Sequence, residues 1–476
     1  MRTTVHASAL SLIFIAGLYL FGRKAKFSAD IDEMGLMKSF VPWMSSNRRL
    51  DDDFTGVYAR EAFQVSDAEI RFPISQDLRR NHSIEFLDGD EWRSAEVRCI
   101  TCYVHTACTF NDFLVTVKLS PPRPLLTLTL RTAGNAAPSE IAVRDSRVRP
   151  GRDTLGVCLS AVYYQADWTN IVQFIEYWLA AGAKKIFIYY YSVTPEVMSL
   201  LRAYTADLGG ILEVVPCPHV RFLSIPDLDE MLAVPEGTAV EALESLSEDH
   251  PNAAGFRFEW KIAEHKFPSM TALRRPGDLS FDYLSHLTRP VESAVTRGYT
   301  LGKKQIIATD RMLITEVHSL PVPEKGPDGR PYEAVIVPEN RGLVLHLRRF
   351  FSATGSSPVA RNASFDGSLM SSVAERMERA FRARLPSMDI DFGPWSVLFK
   401  QTVAAIEHCR THPFEEDDRL EIGMHLCMSV ASCETIIPDQ RNFVFAPQTW
   451  TNLNPHSKAV PYVSTDERKT NRKIWI

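Results

Sequence analysis

The sequence predicts an α/β fold: a Rossmann-type, mostly parallel sheet with helices on both faces, preceded by a small antiparallel β domain. Three observations carry that expectation. Residues 51–150 hold short period-two alternations broken by Gly, Pro, Asn and Asp. Residues 157–225 instead alternate continuous apolar runs with helical patterns, and the connections between them are short.

The chain of 476 residues is long enough for more than one domain, each with its own core. Its composition is that of a globular protein, 45% hydrophobic and 23% charged. A net charge of -5 excludes a polycation built to bind phosphate backbones, so nucleic acid is not an expected partner.

From Thr3 to Gly22 only the side chain of His6 can carry charge near neutral pH, and Ala7 to Phe21 is almost wholly apolar. A helix needs about 20 residues to cross the hydrocarbon core, so residues 1–22 are expected to be a membrane anchor of signal-anchor type. The competing reading is a cleaved signal peptide. Gly22-Arg23-Lys24-Ala25-Lys26-Phe27 follows without a small-x-small site, which favours the anchor. Arg23, Lys24 and Lys26 outnumber Arg2, so the positive-inside rule alone places the amino end in the lumen. A single-pass protein with its body in the lumen of the Golgi or endoplasmic reticulum needs the opposite orientation. The sequons Asn81-His82-Ser83 and Asn362-Ala363-Ser364 fit such a lumenal glycoprotein body. Residues 23–50 are polar and mixed, suiting a stem. The eight cysteines permit disulfides in an oxidising lumen. Cys99-Ile100-Thr101-Cys102 has half a zinc site's spacing but no completing pair, so a structural disulfide or free thiols is the better expectation.

In the β domain, Ile84–Leu87, Val97–Ile100, Phe113–Leu119 and Leu126–Leu130 read as strands. At Gly156 the pattern changes. Val157–Tyr163 is a buried-strand run, followed by a helix from Asp167, a plausible N-cap, to Ala180. Ile171, Phe174, Ile175 and Trp178 mark its apolar face, and Gly182 ends it. Lys185–Tyr190 is a second strand. A second helix runs from Pro195, allowed in a first turn, to Leu208 before Gly209-Gly210. Ile211–Pro216 is a third strand and Val220–Ile225 a fourth. The repeat implies right-handed crossovers, with ligands beyond the strands' carboxyl ends.

The fourth strand delivers Asp227-Leu228-Asp229-Glu230 at that end. Two aspartates at i and i+2 beyond a buried strand aim both carboxylates into a cleft. Such hard oxygen ligands suit Mg²⁺ or Mn²⁺ carrying a diphosphate. Asp51-Asp52-Asp53 and Glu415-Glu416-Asp417-Asp418 are as acidic but follow no such strand, and read as solvated turns. Gly298 to Lys303 has the wrong spacing for a phosphate loop.

An ordered set of motifs then resembles glycosyltransferase family 92, a metal-dependent group of the GT-A fold. It comprises Val157-Cys158-Leu159-Ser160, Trp168 through Phe174-Ile175-Glu176 with Gly182, Ile188-Tyr189-Tyr190, and Leu201 with Tyr204. Phe222 to Leu232, Gly302 to Ile307, Glu316-Val317-His318 and Leu345-His346-Leu347-Arg348 continue it. The resemblance covers about residues 150–350, read here as a GT-A-like domain at 151–350. It implies transfer of a hexose, galactose from UDP-galactose, to a glycan acceptor with inversion. It places Asp227 and Asp229 at the family's metal and nucleotide motif. On that basis Asp229 is assigned to Mn²⁺ (or Mg²⁺), and Asp227 to the ribose or a metal-bound water, with Glu230 in support. His318 and His346 are candidates to join the metal, and Lys304 and Arg348 to contact phosphate. An inverting transfer needs a carboxylate base, for which Glu259 is one candidate.

The sequence departs from the family between its third and fourth strands, where Cys217, Pro218 and His219 replace a longer segment. This apparent deletion near 217–220 is too short for a crossover of a dozen residues or so. The alternative function is therefore a catalytically impaired lumenal member that binds glycans or proteins. A secreted β-rich binding module is a more distant reading. Residues 351–476 are expected to form a helical or irregular extension.

Overall fold

The computed structural model describes residues 56–77, 82–100, 110–134, 137–147, 153–213, 220–265, 273–287, 303–315, 322–349 and 368–388, with short pieces at 390, 392, 401–402, 405, 443–446 and 451–453. The chain divides into Met1–Asp53 and Phe54–Ile476. The expected anchor at 1–22, the stem at 23–50, both sequon asparagines and the short link at 217–219 lie outside the described residues. Among the described residues no helix is long and apolar enough to cross a membrane.

The β domain is built from β1 (Val57–Ala59), β2 (Ala62–Ser66), β3 (Glu69–Asp77), β4 (Ile84–Asp88) and β5 (Glu91–Ser94). It continues with β6 (Glu96–Cys99), β7 (Phe110–Lys118), β8 (Thr127–Thr132) and β9 (Ser139–Asp145). The order β1-β3-β2-β9-β8-β4-β5 is antiparallel except at β2–β9, with β7 paired to both β3 and β6. Alternation along β4 and β8 turns Ile84, Phe86, Leu128 and Leu130 inward onto Phe72, Val115 and Val117. Cys99 is disulfide-bonded.

The body opens with β10 (Asp153–Val162), helix α1 (Trp168–Ala180), β11 (Lys185–Tyr190), the short β12 (Ser192–Val193), α2 (Pro195–Leu208) and β13 (Leu212–Glu213). Asp167 caps α1 as the sequence predicts: its Oδ1 accepts from Thr169 N at 2.9 Å and Asn170 N at 3.3 Å. The helix closes in a Schellman motif, with Ala183 N donating to Trp178 O and Gly182 N to Leu179 O. Gly182 adopts φ 97°, a conformation that other residues take only with strain. β10, β11 and β13 step in one direction across the sheet, so right-handed crossovers place α1 and α2 on the same face.

The chain then returns to the other side of β10 as β14 (Val220–Ser224), which pairs parallel with it. β13 and β14 are therefore separated by β11 and β10. β15 (Glu230–Ala233), α3 (Ala239–Asp249) and the long β16 (Ala253–His265) follow. After them come β17 (Lys304–Ala308), the β18 (Met312–Ile314) and β19 (Val322–Pro323) hairpin, β20 (Glu333–Ile336) and β21 (Leu343–Arg349). Here the expectation of a mostly parallel sheet is corrected. The order β13-β11-β10-β14-β17-β16-β21-β15 is mixed: β17 runs antiparallel to both β14 and β16, and β15 antiparallel to β21. Parallel pairing needs a long crossover at each step. The described strands after α3 reverse direction between β16 and β17 and return parallel only at β20 and β21.

The expected C-terminal extension contributes to both parts. Helix α4 (Ser368–Arg384) buries Met370, Val373, Ala374, Met377 and Phe381, an i, i+3, i+4, i+7, i+11 stripe, and packs on α1. Its last residue, Arg384, reaches Glu176 of α1 through two bonds of 3.0 and 3.1 Å. Further on, β22 (Val444–Phe445) pairs with β12, and β23 (Thr451–Asn452) pairs with β1 of the β domain.

Candidate functional site

Ser224, Ile225 and Pro226 lead from β14 into a four-residue turn closed from both ends. Glu230 N donates to Asp227 O at 3.1 Å, and Asp227 N donates to Glu230 Oε2 at 2.8 Å. Glu230 thus uses its side chain to hold the turn that its own backbone completes. It also begins β15, and antiparallel pairing to β21 sets it directly opposite His346.

The Glu230 carboxylate is wholly buried, and its contacts match that burial. Its Oε1 accepts from Trp260 Nε1 at 2.6 Å and lies 3.1 Å from Lys304 Nζ. Burial pushes its pKa up, and the Asp227 charge adds to the rise; Lys304 and the Asp227 amide pull the other way. Lys304 is buried too, its side chain 5% exposed, and its ammonium also lies 2.9 Å from Asp227 Oδ2. A cation between the buried Glu230 carboxylate and the half-exposed Asp227 carboxylate offsets their repulsion across the turn.

Asp229 faces the other way. Its Oδ2 lies 2.9 Å from His346 Nε2, and its carbonyl accepts from Leu347 N at 2.7 Å, locking the turn to β21. The second imidazole nitrogen, His346 Nδ1, is buried without a hydrogen-bond partner among the described residues. The Trp260 ring walls the imidazole, with centroids 4.8 Å apart.

Does this arrangement fit the divalent cation that the acidic motif implies? Two donors bound side by side on an octahedral cation at roughly 2.1 Å each are about 3 Å apart. The Asp229–His346 separation of 2.9 Å meets that condition as well as it meets a hydrogen bond. Among the described residues no group of three His, Cys, Asp or Glu side chains is placed to hold an ion. Cations that carry diphosphates take one or two protein carboxylates and complete their shell with phosphate oxygens and water. The pair fits that role, with the Asp227 carboxylate paired instead to Lys304.

The remaining sequence candidates fall elsewhere. Glu259 precedes Trp260 in β16, and neighbours along a strand point to opposite faces. It pairs with Lys303 at 2.7 Å, on the face away from Trp260, Lys304 and Glu230. Register agrees, since Lys304 stands opposite Phe258, which shares the Trp260 face. Glu259 is therefore not brought to the acidic turn. Arg348 lies in β21 two residues beyond His346, opposite Glu264. His318 lies outside the described residues.

Two features escape sequence reasoning. Trp260 is one; its place two residues after the buried Phe258, on the same face of β16, is the signal that it points inward. Tyr163 and Tyr191 stack at the carboxyl ends of β10 and β11, with centroids 5.1 Å apart, and Tyr163 is 38% exposed. The next residue, Tyr164, sits at φ 49°, which is unusual for an aromatic side chain. It is held there by Ser192 Oγ, which accepts from its amide at 2.7 Å, and by edge contacts to Phe443 and Phe445. Beside the acidic turn is a small pocket of about 10 Å³ lined by Trp178, Ser224, Pro226, Glu230, Lys304 and Ile306 among others.

With that geometry in place, residues 153–225 match the family model "Glycosyltransferase family 92". The chain thus carries a segment similar to glycosyltransferase family 92. The match spans β10 to the end of β14 and stops two residues before Asp227. No curated protein matches the chain significantly. Among solved structures, an amylomaltase from Corynebacterium glutamicum matches at 14% identity and a TM-score of 0.13. That match covers 32% of this chain and 23% of the amylomaltase, and at such a score it carries nothing about fold or function. The mixed α/β body is consistent with a glycosyltransferase fold, and the family 92 segment is the part of it that β10, α1, β11, α2, β13 and β14 build.

Proposed function

We propose that the chain transfers a hexose, galactose from UDP-galactose, to a glycan acceptor with inversion, using Mn²⁺ or Mg²⁺ in the lumen of the Golgi or endoplasmic reticulum. The observation that carries this reading is the Asp229–His346 pair, set beyond the carboxyl end of β14 directly after the family 92 segment. Sugar identity, inversion and compartment follow the family resemblance and the sequons.

In this reading Asp229 and His346 would hold the cation, which would supply Lewis acidity toward the diphosphate leaving group. Glu230 fixes the turn so that Asp229 stays aimed at His346. Lys304 holds Asp227 at 2.9 Å and keeps that carboxylate from repelling Glu230. Tyr163 and Tyr191 offer a stacked aromatic surface at the same edge of the sheet, suited to a planar base. An inverting transfer also needs a carboxylate to take the acceptor hydroxyl's proton; the candidate Glu259 lies on the face of β16 away from the acidic turn, paired with Lys303.

Transfer from UDP-galactose by the full chain, dependent on Mn²⁺ and lost in Asp229→Ala, tests the proposal. Absence of transfer with every common UDP-sugar would sink it. One observation favours the second reading, an impaired glycan- or protein-binding member: Lys304 already neutralises Asp227. UDP-sugar binding that is identical with and without Mn²⁺, and unaltered by Asp229→Ala, selects that reading.

A further inference from the structure

We infer that Trp260 is the positioning residue of this site: one indole holds the acidic turn with its N–H and aims His346 with its ring. The inference rests on the proposal that Asp229 and His346 hold a divalent cation. Asp229 is a third exposed and sits on a turn, so what fixes the turn and the imidazole contributes to its aim. Trp260 touches both supports. Its Nε1 donates to Glu230 Oε1 at 2.6 Å, and the other oxygen of that carboxylate accepts the Asp227 amide at 2.8 Å. Its ring lies 4.8 Å from the imidazole, at an interplanar angle of 53°.

Strand geometry makes these contacts rigid. Trp260 sits in the middle of β16, bonded on one side to β21, where it stands opposite Val344 and two residues before the position opposite His346. Removing the indole N–H leaves a buried carboxylate one donor short, and the turn must shift to recover it. Removing the ring also frees the imidazole, whose Nδ1 has no partner among the described residues to hold it. Supports of this kind typically change metal affinity by about tenfold or more when lost.

The test compares the full chain with Trp260→Phe, which keeps the ring and loses the donor, and Trp260→Ala, which loses both. Hydrogen exchange of peptides spanning 225–232 reads the turn through the Asp227 and Glu230 amides, and Mn²⁺ titration followed by electron paramagnetic resonance reads the ion. The expected result is exchange about tenfold faster in the turn for both variants, with peptides of β10 unchanged, and Mn²⁺ affinity about tenfold lower for Trp260→Ala. Unchanged turn exchange overturns the inference, as does exchange that rises equally across the whole body. If Trp260→Ala does not fold, Trp260→Phe decides on exchange alone. Should the unaltered chain take up no Mn²⁺ while the turn still loosens in Trp260→Phe, the indole's hold on the turn stands and the cation reading falls.

Discussion

Asp229 and His346, 117 positions apart in sequence, meet at 2.9 Å because β15 and β21 pair antiparallel from Glu230 onward. The contact couples the loop after one strand to the face of another, so it responds to the charge on either partner. Asp229→Asn keeps an acceptor for the imidazole but removes the charge that a cation needs. It is expected to lower Mn²⁺-dependent UDP-sugar affinity at least about tenfold with little change in melting temperature, since charge, not packing, is lost. Isothermal titration with and without Mn²⁺ checks this. Equal affinity in both proteins would remove Asp229 from the proposed site.

Lys304→Met makes the opposite kind of change. Glu230 keeps its burial and loses its cation, and Asp227 loses the ammonium at 2.9 Å. Removing one partner of a buried ion pair typically costs about 3 to 5 kcal/mol, because the other charge is left uncompensated. Asp227 is nearly half exposed and water screens it, so the cost comes chiefly from Glu230. Adding Glu230→Gln to Lys304→Met should recover a large part of the loss. Denaturant unfolding of the four proteins in this cycle measures it, and additive effects would show that the two side chains are not coupled.

The parts legible in the sequence are those whose signal is local. Asp167 before Trp168, Gly182 after Ala180 and Pro195 after Thr194 each act within one turn of backbone, and α1 and α2 begin and end where they indicate. The acidic turn is legible because β14 is a short buried strand and its exit is fixed by alternation. The partners of the turn are not legible. Lys304 and Trp260 reach Glu230 through an antiparallel register between β16 and β17 that no local pattern sets. The same register sends Glu259 to the far face. Nor can composition show that residues near the C-terminus add β22 to one sheet and β23 to another, because such short strands carry no period of their own.

Those strands lead to a third prediction. Phe443 is buried against Tyr164, whose φ of 49° is sustained by its surroundings. Phe443→Ala removes the edge contact and leaves a cavity, at a cost of about 3 kcal/mol, the low end for such a truncation because the cluster is small. Tyr164 and Tyr163 are neighbours, so freeing one should disturb the Tyr163–Tyr191 stack. The expected outcome is a lower melting temperature together with weaker UDP binding. A loss of stability without any change in UDP binding would detach the aromatic pair from the nucleotide.

A fourth prediction concerns pH, and it follows from Glu176. Its carboxylate is enclosed by α1, α2 and α4, where it accepts from Tyr204 at 2.9 Å and from Arg384 at 3.0 and 3.1 Å. Burial raises its pKa, and Arg384 and Tyr204 recover part of the rise, so the folded value stays above the usual 4.5. Arg384, nearer to solvent, is displaced upward by the same carboxylate. A carboxyl raised on folding holds its proton longer in the native state. Its contribution is therefore complete below the unfolded pKa and declines as pH rises through the folded one. Arg384→Met removes the main force opposing that rise, so the folded value moves further up and the decline continues over a wider range. The stability deficit of Arg384→Met should thus grow between about pH 5 and about pH 8, the span over which an ordinary carboxyl is already ionised. Glu176→Gln has no proton to lose there, so its own deficit should shrink as the wild type declines and never grow. Thermal unfolding of the three proteins across that range checks the sign. A deficit of Arg384→Met that does not change with pH would mean that the protonation of Glu176 does not depend on its guanidinium.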